Sequence, residues 1–245
     1  MGLGLSARAF DELPDHLAKR FRVVTFDNRG TGRSTRPRGL FKVADMADDA
    51  ACVLAAAGID RAHVFGISMG GMIATELALR HPSRVERLAL GCTFAGWRKA
   101  KHPSLSVMHT LLRGVGSKER AAMVKLASVL VSEGFLETDL ERFLAWLQRG
   151  EAAGPRVTAL QIAAVARHTT EARLATLRAP TLVITGDVDR LILPENSKRL
   201  ARWIPGAELC MLAGAGHCFP FEQTEATVAA LTAFFDGASA RSTAA

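Results

Sequence analysis

The sequence predicts an α/β protein with a doubly wound, mostly parallel sheet. Short runs rich in Val, Ile, Leu or Phe, bounded by Gly, Pro or Asp, alternate with longer helical patterns, and such alternation is typical of βαβ units. The predicted strands are residues 21–26, 62–66, 85–91, 180–186 and 207–212. The predicted helices are residues 43–58, 69–82, 194–203 and 224–235, of which the first ends at a glycine and the second at a proline.

One long helical stretch interrupts this alternation. Residues 94–178 carry helical patterns without a convincing strand, and they lie between two predicted strands of the sheet. We expect a helical cap over the carboxyl edge of the sheet, where parallel sheets bind ligands; ordinary helical packing is the alternative. The predicted organisation is a core in two parts, residues 1–93 and 179–236, a cap at 94–178, and a disordered tail at 237–245.

Composition and charge exclude several functions. A chain of 245 residues, 49% of them hydrophobic, suits one globular domain. The net charge is +7, but the basic residues are scattered beside acids and tyrosine is absent, so we expect no nucleic-acid partner. Because no apolar stretch approaches the roughly 20 residues of a membrane span and no signal segment opens the chain, we expect a cytoplasmic protein without a membrane partner.

The cysteines do not indicate a metal site. Cys52, Cys92, Cys210 and Cys218 form no C-x-x-C pair, and no histidine lies at a metal-ligand spacing from them. We therefore expect no metal, and cysteines that act as small buried apolar residues. Cys218 directly follows His217, so it is the cysteine that could line a site.

The stretch "FGISMGG" indicates a serine nucleophile. It places Ser68 in a G-x-S-x-G frame, from Gly66 to Gly70, directly between a predicted strand and a predicted helix. A serine on so tight a turn needs glycine two residues before and after it, and the following helix directs its positive end at the nucleophile. The sequence therefore predicts a nucleophile elbow at Ser68.

A serine nucleophile needs a base, and the base needs an orienting acid. Asp187 and Asp189 follow the strand predicted at 180–186, and His217 lies in a glycine-flanked loop after the next strand. The order Ser, Asp, His at successive strand ends indicates a catalytic triad in which either aspartate is the acid.

Together these segments resemble the α/β-hydrolase fold superfamily, in its capped esterase and 3-oxoadipate enol-lactonase-like branch. The resemblance covers nearly the whole chain, through residues 26–34, 45–90, 180–197 and 213–222. In this family the acid stands in a G-x-x-D frame before a short apolar run and a proline, which Gly186, Asp189 and Pro194 match. The resemblance implies that Asp189 is the acid and Asp187 a turn residue.

The first residues, "MGLG", resemble the family segment that shapes the oxyanion hole. This likeness implies that the backbone N–H groups of Leu3 and Met69 are the oxyanion donors. In relatives the first strands of the sheet precede this segment. We therefore expect Met1 to be an internal methionine taken as the start, or the gene to be truncated; a compact natural variant is the alternative.

The glycine-rich stretch "DNRGTGRS" does not indicate a phosphate site, because it lacks the G-x-G-x-x-G spacing and a P-loop lysine. The resemblance implies that this stretch is a turn beside the active site. Arg29 within it is then a structural charge rather than a substrate clamp.

The resemblance implies a serine hydrolase that cleaves a small-molecule carboxylic ester or lactone through an acyl-enzyme, with no cofactor. The same triad supports cofactor-free perhydrolysis or hydrolysis of a C–C bond. A non-catalytic ligand-binding protein and an inactive truncated form are further alternatives. Met108, Leu111, Trp146 and Ile162 either wall an apolar pocket in the cap or form its core.

Overall fold

A four-stranded parallel sheet forms the centre of the molecule, and its strands follow one another in the order β1-β2-β3-β4. The computed structural model describes residues 1–149 and 151–237. The strands are β1 (Ala62–Ile67), β2 (Val85–Gly91), β3 (Thr181–Gly186) and β4 (Glu208–Leu212). Four of the five predicted strands are thus found with bounds within one residue of the prediction.

Helices cover both faces of this sheet. Successive residues of β2 face opposite clusters: Leu88 and Leu90 belong to one apolar core, and Ala89 to the other. The helices are α1 (Leu13–Ala18), α2 (Val43–Ala56), α3 (Met69–Arg80), α4 (Leu105–Gly114), α5 (Arg120–Leu130), α6 (Glu133–Arg149), α7 (Pro155–Ala166), α8 (Pro194–Trp203), α9 (Phe219–Glu222) and α10 (Thr224–Phe235). The first core packs on α2, α3 and α8, and the second on α1 and α10. The predicted doubly wound, parallel α/β architecture is confirmed.

The prediction of a strand at residues 21–26 is wrong. This segment has no regular secondary structure and forms no ladder with a described strand. A cleft of about 170 Å³, lined by Val24 and Phe26 on one side and by Val64 on the other, separates it from β1. A strand needs a partner about 4.8 Å away, so the apolar pattern alone did not suffice here.

The chain between β2 and β3 is helical, as the sequence predicts. Helices α4 to α7 make up most of it, and α6 has a kink at Asp139. We call α4–α7 the helical insertion. Trp146, on α6, is buried; its ring packs against Phe143 and Phe221, and its Nε1 donates a hydrogen bond to the carbonyl of Ala9. Trp146 therefore belongs to the packing between the insertion and the core.

Met108, Leu111 and Ile162, the other candidate pocket residues, are half-buried. Of the tail predicted to be disordered at 237–245, residues 238–245 lie outside the described residues. Among the helices that the structure describes, none has the length and apolar character needed to cross a membrane.

Candidate active site

Ser68 lies on a sharp turn between β1 and α3. Its backbone has φ 56° and ψ −121°, a conformation that non-glycine residues rarely adopt. A Cβ at Gly66 would collide with the carbonyl group of Gly70, which explains why the frame around Ser68 needs glycine. The Ser68 N–H donates to the carbonyl of Gly91 at 2.8 Å, and the Thr93 hydroxyl donates to the Ser68 carbonyl at 2.7 Å. The end of β2 and the segment directly after it thus hold the strained turn on both sides.

His217 and Asp189 form a buried hydrogen-bonded pair. Nδ1 of His217, in the loop after β4, lies 2.8 Å from Oδ2 of Asp189, in the loop after β3. The other carboxylate oxygen of Asp189 accepts the N–H groups of Leu191 and Ile192 at 2.8 and 2.9 Å. Both oxygens of the Asp189 carboxylate thus accept hydrogen bonds, and only 2% of the residue is exposed. The carboxylate therefore holds the imidazole in one orientation, in which Nε2 is the ring nitrogen that Asp189 does not bind.

Asp187 does not reach the histidine. Its side chain is at an exposed position, and Oδ1 accepts the N–H of Gly214 at 2.7 Å. This bond ties the loop after β3 to the loop after β4. The structure therefore brings Asp189, and not Asp187, to His217.

Ser68 and His217 lie at the same edge of the sheet, but no hydrogen bond joins their side chains in the described part of the chain. The neighbour of His217 Nε2 is instead Cys92 Sγ, at 4.0 Å. Catalytic hydrogen bonds are often long without substrate and tighten in the complex. The arrangement can transfer a proton once the serine hydroxyl and Nε2 approach.

The backbone N–H groups of Leu3 and Met69 are the candidate oxyanion donors. Neither the N–H of Leu3 nor that of Met69 donates a hydrogen bond within the described residues. Met69 is the first residue of α3, where the positive end of the helix dipole adds to the attraction. Gly2 lies beside the nucleophile, since a Cβ there would be 3.8 Å from Ser68 Oγ. The segment that carries Leu3 and the start of α3 thus both adjoin Ser68.

The family described as "alpha/beta hydrolase fold" matches residues 1–224. The chain belongs to this family. A protein of Caulobacter vibrioides named "Putative carbamate hydrolase RutD" is 32% identical over 243 residues, which cover 97% of this chain and 88% of that protein. A thermophilic esterase from Thermogutta terrifontis has a TM-score of 0.81 at 26% identity, over 96% of this chain and 87% of its own. The enol-lactonase from Burkholderia xenovorans LB400 shares the fold, with a TM-score of 0.82 at 24% identity over 96% and 88% of the two chains.

The family match and the relative named as a hydrolase show that the chain is an enzyme of the α/β-hydrolase family. The predicted resemblance to the superfamily is therefore confirmed.

Cys92 is one residue of this α/β-hydrolase site whose role the sequence did not indicate. Besides its contact with Nε2, its thiol donates a weak hydrogen bond to the His217 carbonyl, with Sγ 3.4 Å from the oxygen. Cys218, the cysteine expected to line a site, is half-buried, and its N–H donates to the carbonyl of Leu130. The signal for Cys92 was its position directly after β2, at the carboxyl edge where the other loops meet.

Potential metal ligands meet at the same point. Ligand atoms of Cys92, Asp189 and His217 lie within 4.8 Å of one another. A thiol binds metal as the thiolate, but burial, with the Asp189 charge as a second cause, raises the pKa of Cys92 well above its ordinary value. Since the aspartate and histidine also bond to each other, this cluster fits proton transfer better than metal binding.

Glu222 connects the histidine loop to the helical insertion. Its Oε1 accepts the N–H of Gly216 at 2.9 Å, and its Oε2 accepts the N–H of Ser132, in the insertion, at 2.8 Å. Burial raises the pKa of this carboxyl. The role of Glu222 could not be predicted from the sequence, because it depends on a contact with a segment 90 residues away.

Arg29 is paired with an acid on α2. Its guanidinium forms two hydrogen bonds to the Asp49 carboxylate, at 2.6 and 2.7 Å, and lies over the ring of Phe41. These contacts fasten the glycine-rich turn to α2. They match the structural role expected for Arg29.

Proposed function

We propose that this α/β-hydrolase is a serine hydrolase that cleaves a small-molecule carboxylic ester or lactone through an acyl-enzyme. The observation that carries the proposal is the strained turn of Ser68 at the same sheet edge as the His217–Asp189 pair. Strain of this kind is stored at functional sites, because packing alone does not require it. The two free backbone donors beside Ser68 add the oxyanion binding that acyl transfer needs.

The mechanism follows from the roles of these groups. His217 Nε2 removes the proton of Ser68 as Oγ attacks the carbonyl carbon, and Asp189 holds the imidazole in the tautomer that leaves Nε2 free. The N–H groups of Leu3 and Met69 stabilise the tetrahedral oxyanion. The protonated histidine then gives its proton to the leaving alcohol, and water, activated by His217, releases the acid.

We propose that the helical insertion caps this site, with residues 94–178 as the cap and residues 1–93 and 179–236 as the two parts of the core. Its contacts support this division. Ser132 binds Glu222 beside the histidine loop, and the N–H of Ala153 donates to the carbonyl of Gly4 at 2.7 Å, beside the candidate oxyanion loop. The insertion thus touches both loops that flank Ser68.

The choice of substrate class has two supports. Esters and lactones present a carbonyl that a serine attacks, and the esterase from Thermogutta terrifontis shares the fold at 26% identity. The relative from Caulobacter vibrioides is named for carbamates, whose carbonyl carbon undergoes the same attack. A carbamate is therefore the second candidate substrate.

The test is active-site labelling combined with a substrate panel. A fluorophosphonate probe should label the wild type at Ser68, and Ser68→Ala should lose both the label and turnover of p-nitrophenyl esters, lactones and aryl carbamates. Loss of a triad serine typically lowers kcat by about 10⁶-fold. Ser106→Ala, at an exposed serine of α4, is the matched control and should retain wild-type activity.

The other reactions of the same triad give different products. Turnover only of a vinylogous diketone, or only in the presence of hydrogen peroxide, would move the assignment to C–C hydrolysis or perhydrolysis. Equal labelling of Ser68→Ala and the wild type would contradict the serine mechanism itself.

A further inference from the structure

Gln161 is a buried glutamine of α7 whose side chain reaches the candidate oxyanion loop. It is 0% exposed, and its Oε1 accepts the N–H of Gly4 at 2.8 Å. The two residues are 157 positions apart in the chain. Its Nε2 is buried and has no hydrogen-bond partner among the described residues.

The helical insertion holds Gly4 on both sides of its backbone. Gln161 binds the N–H of Gly4, and the N–H of Ala153 donates to the Gly4 carbonyl at 2.7 Å. Leu5 forms an isolated antiparallel bridge with Ala152. Gly4 itself has φ 71°, so it turns the chain sharply directly after Leu3.

The bond to Gly4 fixes the peptide group next to the candidate donor. The Gly4 N–H and the Leu3 carbonyl belong to one rigid peptide plane. Holding that plane restricts the ψ angle of Leu3, and with Gly2 beside Ser68 it limits where the Leu3 N–H can point. A donor of an oxyanion hole must be aimed in advance, because only then does it stabilise the transition state without reorganisation.

The glutamine at this position supplies one specific contact and bears one cost. A buried amide with one half unpaired has an unfavourable desolvation cost, whereas an apolar side chain of similar size would leave the buried N–H of Gly4 unpaired instead. What glutamine supplies and an apolar residue does not is the acceptor for Gly4. The desolvation cost of the unpaired Nε2 therefore accompanies the hydrogen bond that Oε1 accepts from Gly4.

We propose that Gln161 is a positioning residue for catalysis: from the helical insertion, it orients the loop that carries the Leu3 oxyanion donor. The inference rests on the proposed serine hydrolase function and deepens it. It makes the insertion part of the catalytic apparatus, in addition to a cover over the site.

Three variants of α7 test this role. Gln161→Leu removes the acceptor; Gln161→Glu keeps an acceptor oxygen for Gly4; Val157→Ala removes buried apolar volume from the same helix and serves as the control for packing. Each is assayed for kcat and KM on the best ester of the panel, for fluorophosphonate labelling, and for hydrogen exchange of the peptide covering residues 1–10.

We expect Gln161→Leu to lower kcat by about 10- to 100-fold, the order of effect of a displaced catalytic group, with a small change in KM. Exchange in residues 1–10 should become faster. Gln161→Glu should retain most of the kcat and the slow exchange. Val157→Ala should show neither effect, even where its thermal stability falls as much as that of Gln161→Leu.

Each contrary result has a definite meaning. Unchanged exchange in Gln161→Leu shows that Gln161 does not hold the loop, and faster exchange with an unchanged kcat shows that the loop does not limit catalysis. Either result overturns the proposal. A wild type that is neither labelled nor active overturns the proposed function instead, and the exchange data still decide whether Gln161 orders residues 1–10.

Discussion

The Sγ of Cys92 lies 4.0 Å from Nε2 of His217, the ring nitrogen opposite the one that binds Asp189. Cys92 is fully buried and has φ 32°, in the left-handed region. Burial raises the pKa of its thiol, so the group facing the histidine is neutral. A thiol is a weak hydrogen-bond donor, which leaves the Nε2 lone pair available for the proton of Ser68.

This relationship predicts an order of activity among Cys92 variants. Cys92→Ser introduces a stronger donor, whose hydroxyl can turn from the His217 carbonyl, the acceptor of the thiol, to Nε2. It then competes with Ser68, so kcat/KM should fall roughly 10-fold or more, a fraction of what general-base catalysis contributes. Cys92→Ala only removes packing beside the ring, and its loss should be smaller. Steady-state kinetics on one ester measures both variants.

Cys210→Ser is the matched control for the Cys92 variants, since Cys210 is a buried cysteine of β4. It should change stability without a change in kcat. A Cys92→Ser variant that is as active as Cys92→Ala would show that competition for Nε2 is absent.

The two aspartates after β3 provide the second prediction. Asp189→Asn should lower kcat by about 10⁴-fold, because an asparagine favours the wrong tautomer of His217. Asp187→Asn should have a far smaller effect, since its amide oxygen can still accept the Gly214 N–H. The comparison needs kcat for both variants with circular dichroism spectra showing that both are folded. The reverse order of activity would mean that Asp187 is the orienting acid.

The local features of the candidate site could be predicted from the sequence. Ser68 lies in a motif whose glycines are explained by the collision that a Cβ at Gly66 would cause, and the motif sits between a strand and a helix that both have clear apolar patterns. The strands from Ala62 onward were predictable for the same reason, because breakers bound each apolar run. At residues 21–26 the run is equally apolar, but strand formation depends on a partner at hydrogen-bond distance, which the pattern does not contain.

Contacts between segments far apart in the chain could not be predicted from the sequence. The contacts of His217 with Cys92, of Ser132 with Glu222 and of Gly4 with Gln161 join residues 125, 90 and 157 positions apart. Each depends on how the helical insertion or a neighbouring strand end packs, which periodicity does not encode. Trp146 illustrates the same limit: helical spacing left open whether it lines a pocket or packs, and its contact with Phe221 of the core shows packing.

The insertion contacts the candidate site from two directions. Glu222 binds Ser132 beside the histidine loop, and Gln161 binds Gly4 beside the serine. A displacement of the insertion would therefore disturb both the candidate base, His217, and the candidate oxyanion loop. This coupling gives a physical reason to expect that substitutions in the insertion alter kcat as well as KM.

The buried His168, where the insertion returns to the core, predicts how stability depends on pH. Burial and the charge of Arg173 lower its pKa from 6.5 to about 4, and its Nε2 has no partner among the described residues. As the pH falls below 6.5, His168 becomes protonated in the unfolded chain but stays neutral in the folded protein down to about pH 4. The free energy of unfolding should therefore fall between pH 6.5 and pH 4, by about 3 kcal/mol.

Urea unfolding at several pH values measures this effect. The free energy of unfolding should vary less with pH for His168→Gln than for the wild type, whereas His109→Gln, at an exposed position, should keep the wild-type pH dependence. Parallel profiles for His168→Gln and the wild type would show that folding does not lower the pKa of His168.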